Sequence, residues 1–232
     1  MSKCKYLLWR KNKIFNRSNN KISYCFNPRL ISYIYRFVNL ALTKAMPDYL
    51  LQLDRHLFYF INHDLANPFF DWIMPWLRNP KFWIPLYLFI IGFSIYKYKK
   101  TGLIIILLLA LTAGFADFTS ASIVKQRVKR DRPCRDVVVS KTDIVRVACG
   151  TGYSFPSTHA TDHFAMAFLL IMLFHKKWRW IWLWGILWAG IISFAQVYVG
   201  VHFPIDVFCG ALYGMFVGWM FSILFRKISP AF

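Results

Sequence analysis

The chain has 232 residues, 57% of them apolar and 19% aromatic, yet its formal charge at pH 7 is +19. A soluble globule keeps its apolar share nearer to half, so the composition excludes an ordinary soluble domain and indicates an integral membrane protein. Lysine and arginine outnumber aspartate and glutamate 29 to 10, an excess that suits either nucleic acid or an anionic lipid surface. The long apolar runs between the charges select lipid, and no nucleic-acid partner is expected.

Residues 1–45 hold ten lysines and arginines and no acidic residue, without the apolar core of a signal peptide. They read as a basic N-terminal extension, poorly ordered or lying on a membrane surface, with an organelle transit peptide and a start at Met46 as open alternatives. Leu30–Leu42, interrupted by Arg36, is a candidate first span. The membrane domain is expected over residues 46–232.

From Tyr49 to Leu77 the apolar pattern is broken by Asp54, Arg55, His56, His63, Asp64 and Asp71, with Pro68 and Pro75. That favours an interfacial amphipathic segment over a straight span. Five spans follow, Phe82–Tyr98, Leu103–Val124, Ser157–Phe174, Ile181–Val199 and Val207–Phe225, each approaching the ~20 apolar residues that cross the hydrocarbon. The expected fold is all-α, a polytopic membrane helix bundle of these five spans plus the candidate Leu30–Leu42. Trp178, Trp180, Trp182 and Trp184 cluster at one end of a span, as interfacial anchors do.

Two spans separate the polar loop Lys125–Phe155 from His202, so both lie on one membrane face. The basic turns at Lys97, Lys99 and Lys100, at Lys176, Lys177 and Arg179, and at Arg226 and Lys227 lie on the other, which the positive-inside rule makes cytoplasmic. The loop itself carries eight basic and three acidic residues, charges that topology does not ask for. Cys134 and Cys149 flank it. With no Cys-x-x-Cys spacing a zinc site is not expected, and in an oxidising compartment the two can pair as a disulfide.

Three clusters fall on the loop's face. His202 is followed four residues later by Asp206, and Pro204 between them suits the first turn of a helix. A carboxylate that takes one ring N–H fixes the imidazole tautomer and frees the other nitrogen as nucleophile or base. Lys125, with Arg132-Pro133 seven residues on, supplies fixed positive charge, the arginine with a fork that fits phosphate oxygens. Phe155-Pro156-Ser157-Thr158-His159 reads as a helix start capped by Ser157, whose free N–H groups and dipole end attract an anion. Singly, these are an interfacial anchor, a helix cap and a helix entry. Jointly they describe a pocket for a phosphoryl group beside two histidines. One histidine can attack phosphorus while the other moves the proton. Lysine, arginine and the helix N-terminus meet the charge, so no metal and no organic cofactor is expected. Asp117, inside a span, is expected to hydrogen-bond between helices, and His56, His63, His163 and His175 are assigned no chemistry.

These residues resemble the type 2 phosphatidic acid phosphatases, membrane lipid-phosphate phosphatases that share a motif set with vanadium haloperoxidases and some soluble acid phosphatases. The first motif, Lys, six residues, Arg-Pro, corresponds to Lys125 through Arg132-Pro133. The second, Pro-Ser-Gly-His, stands as Pro156-Ser157-Thr158-His159, with Thr158 in place of glycine. The third, Ser-Arg, five residues, His, three residues, Asp, stands as Ala195-Gln196, five residues, His202, three residues, Asp206. The resemblance covers about Leu53 to Phe225. It implies His202 as nucleophile, Asp206 as its orienter, His159 as general acid, and Lys125, Arg132, Ser157 and the amide of Thr158 as phosphate holders.

It further implies a six-helix fold with the interfacial segment near the entrance, in a membrane such as the bacterial inner membrane, with the site on the periplasmic or other extracytoplasmic side. Gln196 stands where the family has a phosphate-gripping arginine. Glutamine donates hydrogen bonds without charge, so stabilisation there is expected to be weaker unless Arg127, Lys129, Arg130 or Arg135 reaches in. The implied function is metal-independent removal of a terminal phosphate from a lipid phosphate or pyrophosphate through a phosphohistidine. Candidate substrates are a polyprenyl pyrophosphate, phosphatidylglycerol phosphate, phosphatidic acid or a phosphorylated glycolipid. A lipid-to-lipid phosphotransferase and a non-catalytic binder or carrier of phospholipid headgroups are the alternatives.

Overall fold

The computed structural model describes residues 47–230. The basic extension, its boundary at residue 45, Met46, the candidate span Leu30–Leu42, Cys4 and Cys25 lie outside the described residues. Among these, every regular element is helical. Helix α1, Asp48–Tyr59, runs into a π-helical turn, Phe60–Asp64; α2, Pro68–Leu77, and a 3-10 turn, Pro80–Trp83, lead to α3, Ile84–Phe118. A second π-helical turn, Thr119–Val124, joins α3 to the short α4, Lys125–Val128; then come α5, Thr158–Phe174, α6, Ile181–Tyr198, and α7, Pro204–Ile228.

The Tyr49–Leu77 stretch is thus a pair of helices joined by a turn. Asn67 sets the start of α2 by accepting a hydrogen bond from the Phe70 N–H at 2.9 Å, with Pro68 pre-organised at the first helical position. The polar loop also begins later than expected. Helical backbone continues past Lys125 to Val128 and stops at Lys129, which adopts the left-handed conformation (φ 52°, ψ 38°) that commonly ends helices.

The basic turn expected at Lys97–Thr101 is present inside α3. Lys99 breaks the helix at φ 49°, ψ −119°, and Gly102 lies against the Ser94 carbonyl, whereas a straight helix would hold the two about 12 Å apart. The chain therefore folds back on itself, and α3 is two arms, 84–98 and 100–118. Gly102 is required there because any Cβ would overlap the Ser94 backbone.

Three stretches are long and apolar enough to cross a membrane by length and composition: Pro80–Lys141, which contains this reversal, Ile181–Tyr198 and Pro204–Ile228; Thr158–Phe174 is apolar but has 17 residues. Along the second arm of α3, Leu103, Leu107, Leu111 and Phe118 are 61%, 61%, 50% and 59% exposed. An apolar stripe of that length in water would be an aggregation liability, and it suits contact with lipid chains.

At the centre of the bundle α7 packs on α5 through glycines four residues apart. A Cβ on Gly210, Gly214 or Gly218 would meet the backbone oxygen of Ser157, Thr161 or Ala165 respectively, so α7 lies against the α5 backbone without intervening side chains, the small-residue packing that membrane helices use. Gly214→Leu is expected to destabilise the protein by about 1–3 kcal/mol through overpacking. A lower unfolding temperature in detergent would register this, whereas Gly114→Ala, where nothing lies within 4 Å, should leave it unchanged.

The three basic turns meet at one end of the bundle: Lys177 sits 5.3 Å over the Tyr98 ring, Trp178 packs on Phe93, and Arg226 donates to the Met172 carbonyl at 3.3 Å. The start of α5, the end of α6 and the start of α7 meet at the other, as the parity argument requires.

Candidate active site

His202 lies in the turn between α6 and α7. The turn is possible because Gly200 takes φ +85°, and a Cβ there would also strike the Asp143 carboxylate. His202 is 2% exposed. Arg132 Nη1 approaches its Nε2 to 3.3 Å. Since arginine only donates, Nε2 must be the acceptor and the proton of the neutral ring sits on Nδ1. Nδ1 faces Ser154 Oγ at 3.2 Å, and Ser154 in turn donates to Asp206 Oδ2 at 2.5 Å. The direct separation from Nδ1 to Asp206 is 3.7 Å, beyond a hydrogen bond. The expected direct His202–Asp206 bond is therefore corrected to a relay through Ser154, whose wholly buried hydroxyl occupies the space between them.

Asp206 is fixed from two more sides. Its Oδ2 accepts the Phe203 N–H at 3.0 Å, closing the entry of α7, while its Oδ1 accepts from Arg130 Nη1 at 2.6 Å. The other Arg130 nitrogen reaches Asp54 Oδ2 on α1 at 2.5 Å, and Asp54 Oδ1 takes the Ile205 N–H at 2.8 Å. Arg130 also lies 4.2 Å over the Phe203 ring. Burial is the main cause that pushes His202 down to about 4, partly offset by Asp206 and reinforced by the Arg132 charge. The imidazole is consequently neutral near pH 7, with a lone pair on Nε2.

His202 lines a cavity of about 700 Å3, together with Lys125, Arg132, Thr158, His159 and Gln196. Six of the eight residues singled out in the sequence thus meet at one hollow. The other two, Ser157 and Asp206, are buried and joined by a bond from the Ser157 N–H to the Asp206 carbonyl at 2.9 Å. Ser157 takes the N-cap position of α5, but contrary to expectation its hydroxyl does not cap the helix, and Oγ has no hydrogen-bond partner among the described residues. Gln196 is wholly buried, and among the described residues neither end of its amide has a partner.

The loop that delivers Arg132 is closed by a Cys134–Cys149 disulfide with Cα atoms 6.2 Å apart, the pairing weighed from the sequence. Arg132 is held by the Gly152 carbonyl at 2.9 Å and the Val201 carbonyl at 3.2 Å. Gly150 leaves room beside it, since a Cβ there would lie 3.3 Å from the guanidinium carbon.

Other expectations fail. Of the cations offered as substitutes for charge at position 196, Arg130 is engaged by Asp54 and Asp206, Arg135 donates to the Thr151 and Gly152 carbonyls, and Arg127 and Lys129 are exposed. None of the four lines the cavity. Among the described residues Asp117 makes no side-chain bond between helices; it lines the cavity instead. His163, given no chemistry, lines the same hollow, with Nδ1 2.7 Å from the His159 carbonyl and Nε2 3.1 Å from Tyr87 Oη. Its spacing of four from His159 was a usable signal, because residues four apart share a helix face. Ser154 and Arg78, the latter also in the lining, carried no comparable signal.

The PAP2 superfamily profile matches residues 101–230, the stretch that supplies every motif residue. This chain belongs to the PAP2 superfamily. Among its relatives, a lipid A 4'-phosphatase of Bacteroides thetaiotaomicron is 33% identical over 187 residues, covering 79% of this chain and 82% of that protein. A lipid A 4'-phosphatase of Porphyromonas gingivalis is 27% identical over 177 residues, with 74% and 72% covered. The solved PAP2-type phosphatidylglycerolphosphate phosphatase of Bacillus subtilis superposes with a TM-score of 0.64 at 18% identity, covering 87% of this chain and 98% of that one, a likeness of fold. The apolar outer helices and these membrane-embedded PAP2 relatives together make the chain an integral membrane protein.

Proposed function

We propose that this PAP2 protein is a phosphohydrolase that removes a terminal phosphate from a lipid phosphate by way of a phosphohistidine on His202. The observation that carries the reading is the Asp206–Ser154–His202 relay, which leaves Nε2 unprotonated on a ring that lines a cavity shared with His159, Lys125 and Arg132. In the first step the Nε2 lone pair attacks phosphorus and the bond from phosphorus to the lipid oxygen breaks. His159, protonated once the anionic phosphoryl group has entered the cavity, gives that oxygen its proton, releasing the lipid alcohol. In the second step His159 takes a proton from water as the water oxygen attacks phosphorus. The P–N bond then breaks and inorganic phosphate leaves. Lys125, Arg132, the Ser157 hydroxyl and the Thr158 amide at the start of α5 hold the equatorial oxygens, and charge at those points is stabilised more in the transition state than in the ground state.

A phosphorylated glycolipid is the first substrate to test, because the relatives that cover most of the chain are named lipid A 4'-phosphatases. The two arms of α3 together with α5, α6 and α7 would supply five spans, and residues 46–232 the whole membrane domain. The disulfide in the site's loop supports a site on the oxidising, periplasmic side of a bacterial inner membrane. Purified protein in detergent, given lipid A, phosphatidylglycerol phosphate, phosphatidic acid and undecaprenyl pyrophosphate in turn, should release inorganic phosphate from at least one. Release should persist with excess EDTA and stop with orthovanadate. No release from any of the four, with lipid still bound, would make the protein a headgroup binder; a phosphorylated lipid product would make it a transferase.

A further inference from the structure

The cavity is lined by one cation that belongs to none of the three motif clusters. Arg78 stands just after α2, and its side chain lines the hollow with Lys125, Arg132, His159, Gln196 and His202. Its Nε is buried without a hydrogen-bond partner, and among the described residues no carboxylate pairs with it. The other part-buried arginines near the site have partners: Arg130 has two carboxylates, Arg146 has Asp71, and Arg132 is held by the Gly152 and Val201 carbonyls. A guanidinium N–H taken out of water without a partner is costly, and partial burial lowers the affinity of Arg78 for its proton. An arrangement that leaves this group unpaired in the same hollow as an unpaired amide, that of Gln196, is one that an incoming anion completes.

Its position is also fixed. The Arg78 N–H closes α2 on the Met74 carbonyl at 3.2 Å, and Trp83 Nε1 bonds the Leu77 carbonyl at 2.7 Å, which pins the turn at Pro80–Trp83 against the end of α2. We propose that Arg78 is a substrate-phosphate ligand, a third cation that grips the oxygens of the bound phosphoryl group and supplies from α2 the charge that Gln196 does not bring. The role rests on the phosphohydrolase reading above. It enlarges that reading, because it makes the α2 segment part of the active site and lets its docking against the bundle complete the anion pocket.

Orthovanadate binding to the full-length protein in detergent, followed by thermal shift, tests the role without requiring turnover. Arg78→Gln and Arg78→Ala should each weaken vanadate binding about 100-fold and lower kcat/KM by 10²–10³-fold, the usual cost of one oxyanion donor. Arg78→Lys, which keeps the charge but loses the fork, should recover at least a tenth of the lost affinity. A purely structural arginine would lower the unfolding temperature without ordering vanadate affinity by charge. Should the alanine variant not fold, the glutamine and lysine pair gives the same answer. Wild-type vanadate affinity in the glutamine variant, or equal losses in the glutamine and lysine variants, overturns the assignment. Absence of lipid-phosphate turnover in the wild type would instead count against the phosphohydrolase reading alone.

Discussion

His202→Ala eliminates phosphate release from lipid phosphates, a fall of about 10⁴-fold or more, the scale on which enzymes lose a covalent nucleophile. No other lining group can take its place, because only Nε2 of His202 is both deprotonated by its surroundings and backed by the Ser154–Asp206 relay. Rapid quench with a radiolabelled lipid phosphate should trap a phosphoenzyme in the wild type and none in the variant; turnover persisting in His202→Ala would move the nucleophile elsewhere. The pH dependence sharpens the same point. Burial holds His202 down to about 4, so the nucleophile gains a proton and loses its lone pair only below that value and stays competent above it. Once rates are divided by the fraction of substrate in its dianionic form, which has its own ionisation near pH 6, the acid limb of kcat/KM should fall near pH 4. A limb at about 6.5, the value of an unperturbed imidazole, would contradict the burial that the fold imposes on this ring.

The bundle and the cavity were legible for different reasons. Helix reversal at Lys99 follows from cations placed where an apolar run reaches one helix length, and the apolar runs gave α5, α6 and α7 to within a few residues. The motif residues gathered because each lies at the end of an element whose direction parity already set: Lys125 beyond α3, His159 at the start of α5, His202 between α6 and α7. What stayed hidden were contacts made by residues without local pattern. Ser154 is one hydroxyl in a loop, and only the closed loop carries it between His202 and Asp206. Arg78 precedes a span, where a cation reads as an interfacial anchor. Arg130 was weighed as one of four cations that could replace the charge missing at position 196. The turn at Lys129 aims it instead toward a carboxylate on α1, 76 residues away. The glycines at 210, 214 and 218 were readable as a small-residue stripe, but without the identity of the facing helix they specify no contact.

Arg130→Met costs about 3–5 kcal/mol of stability, the scale for removing one partner of a buried ionic network, and takes catalysis with it. The side chain is 13% exposed and both of its carboxylate partners are at 0%, so the charges left behind have no water to turn to. Repulsion between Asp54 and Asp206 would then push α1 away from the start of α7, where Asp54 holds the Ile205 N–H. Asp206 would also lose the contact that fixes its second oxygen, and Ser154 would lose a well-placed acceptor. The double change Asp54→Asn with Arg130→Met removes two charges of opposite sign and leaves one buried carboxylate, so it should recover part of the stability lost by Arg130→Met. Activity should recover much less, because the Asp206 orientation depends on Arg130 itself. Unfolding temperatures and kcat for the two single variants and the double one form a cycle that separates these effects. Equal recovery of stability and rate would mean that Arg130 only neutralises charge, and the view that it aims the Asp206–Ser154–His202 relay would have to be abandoned.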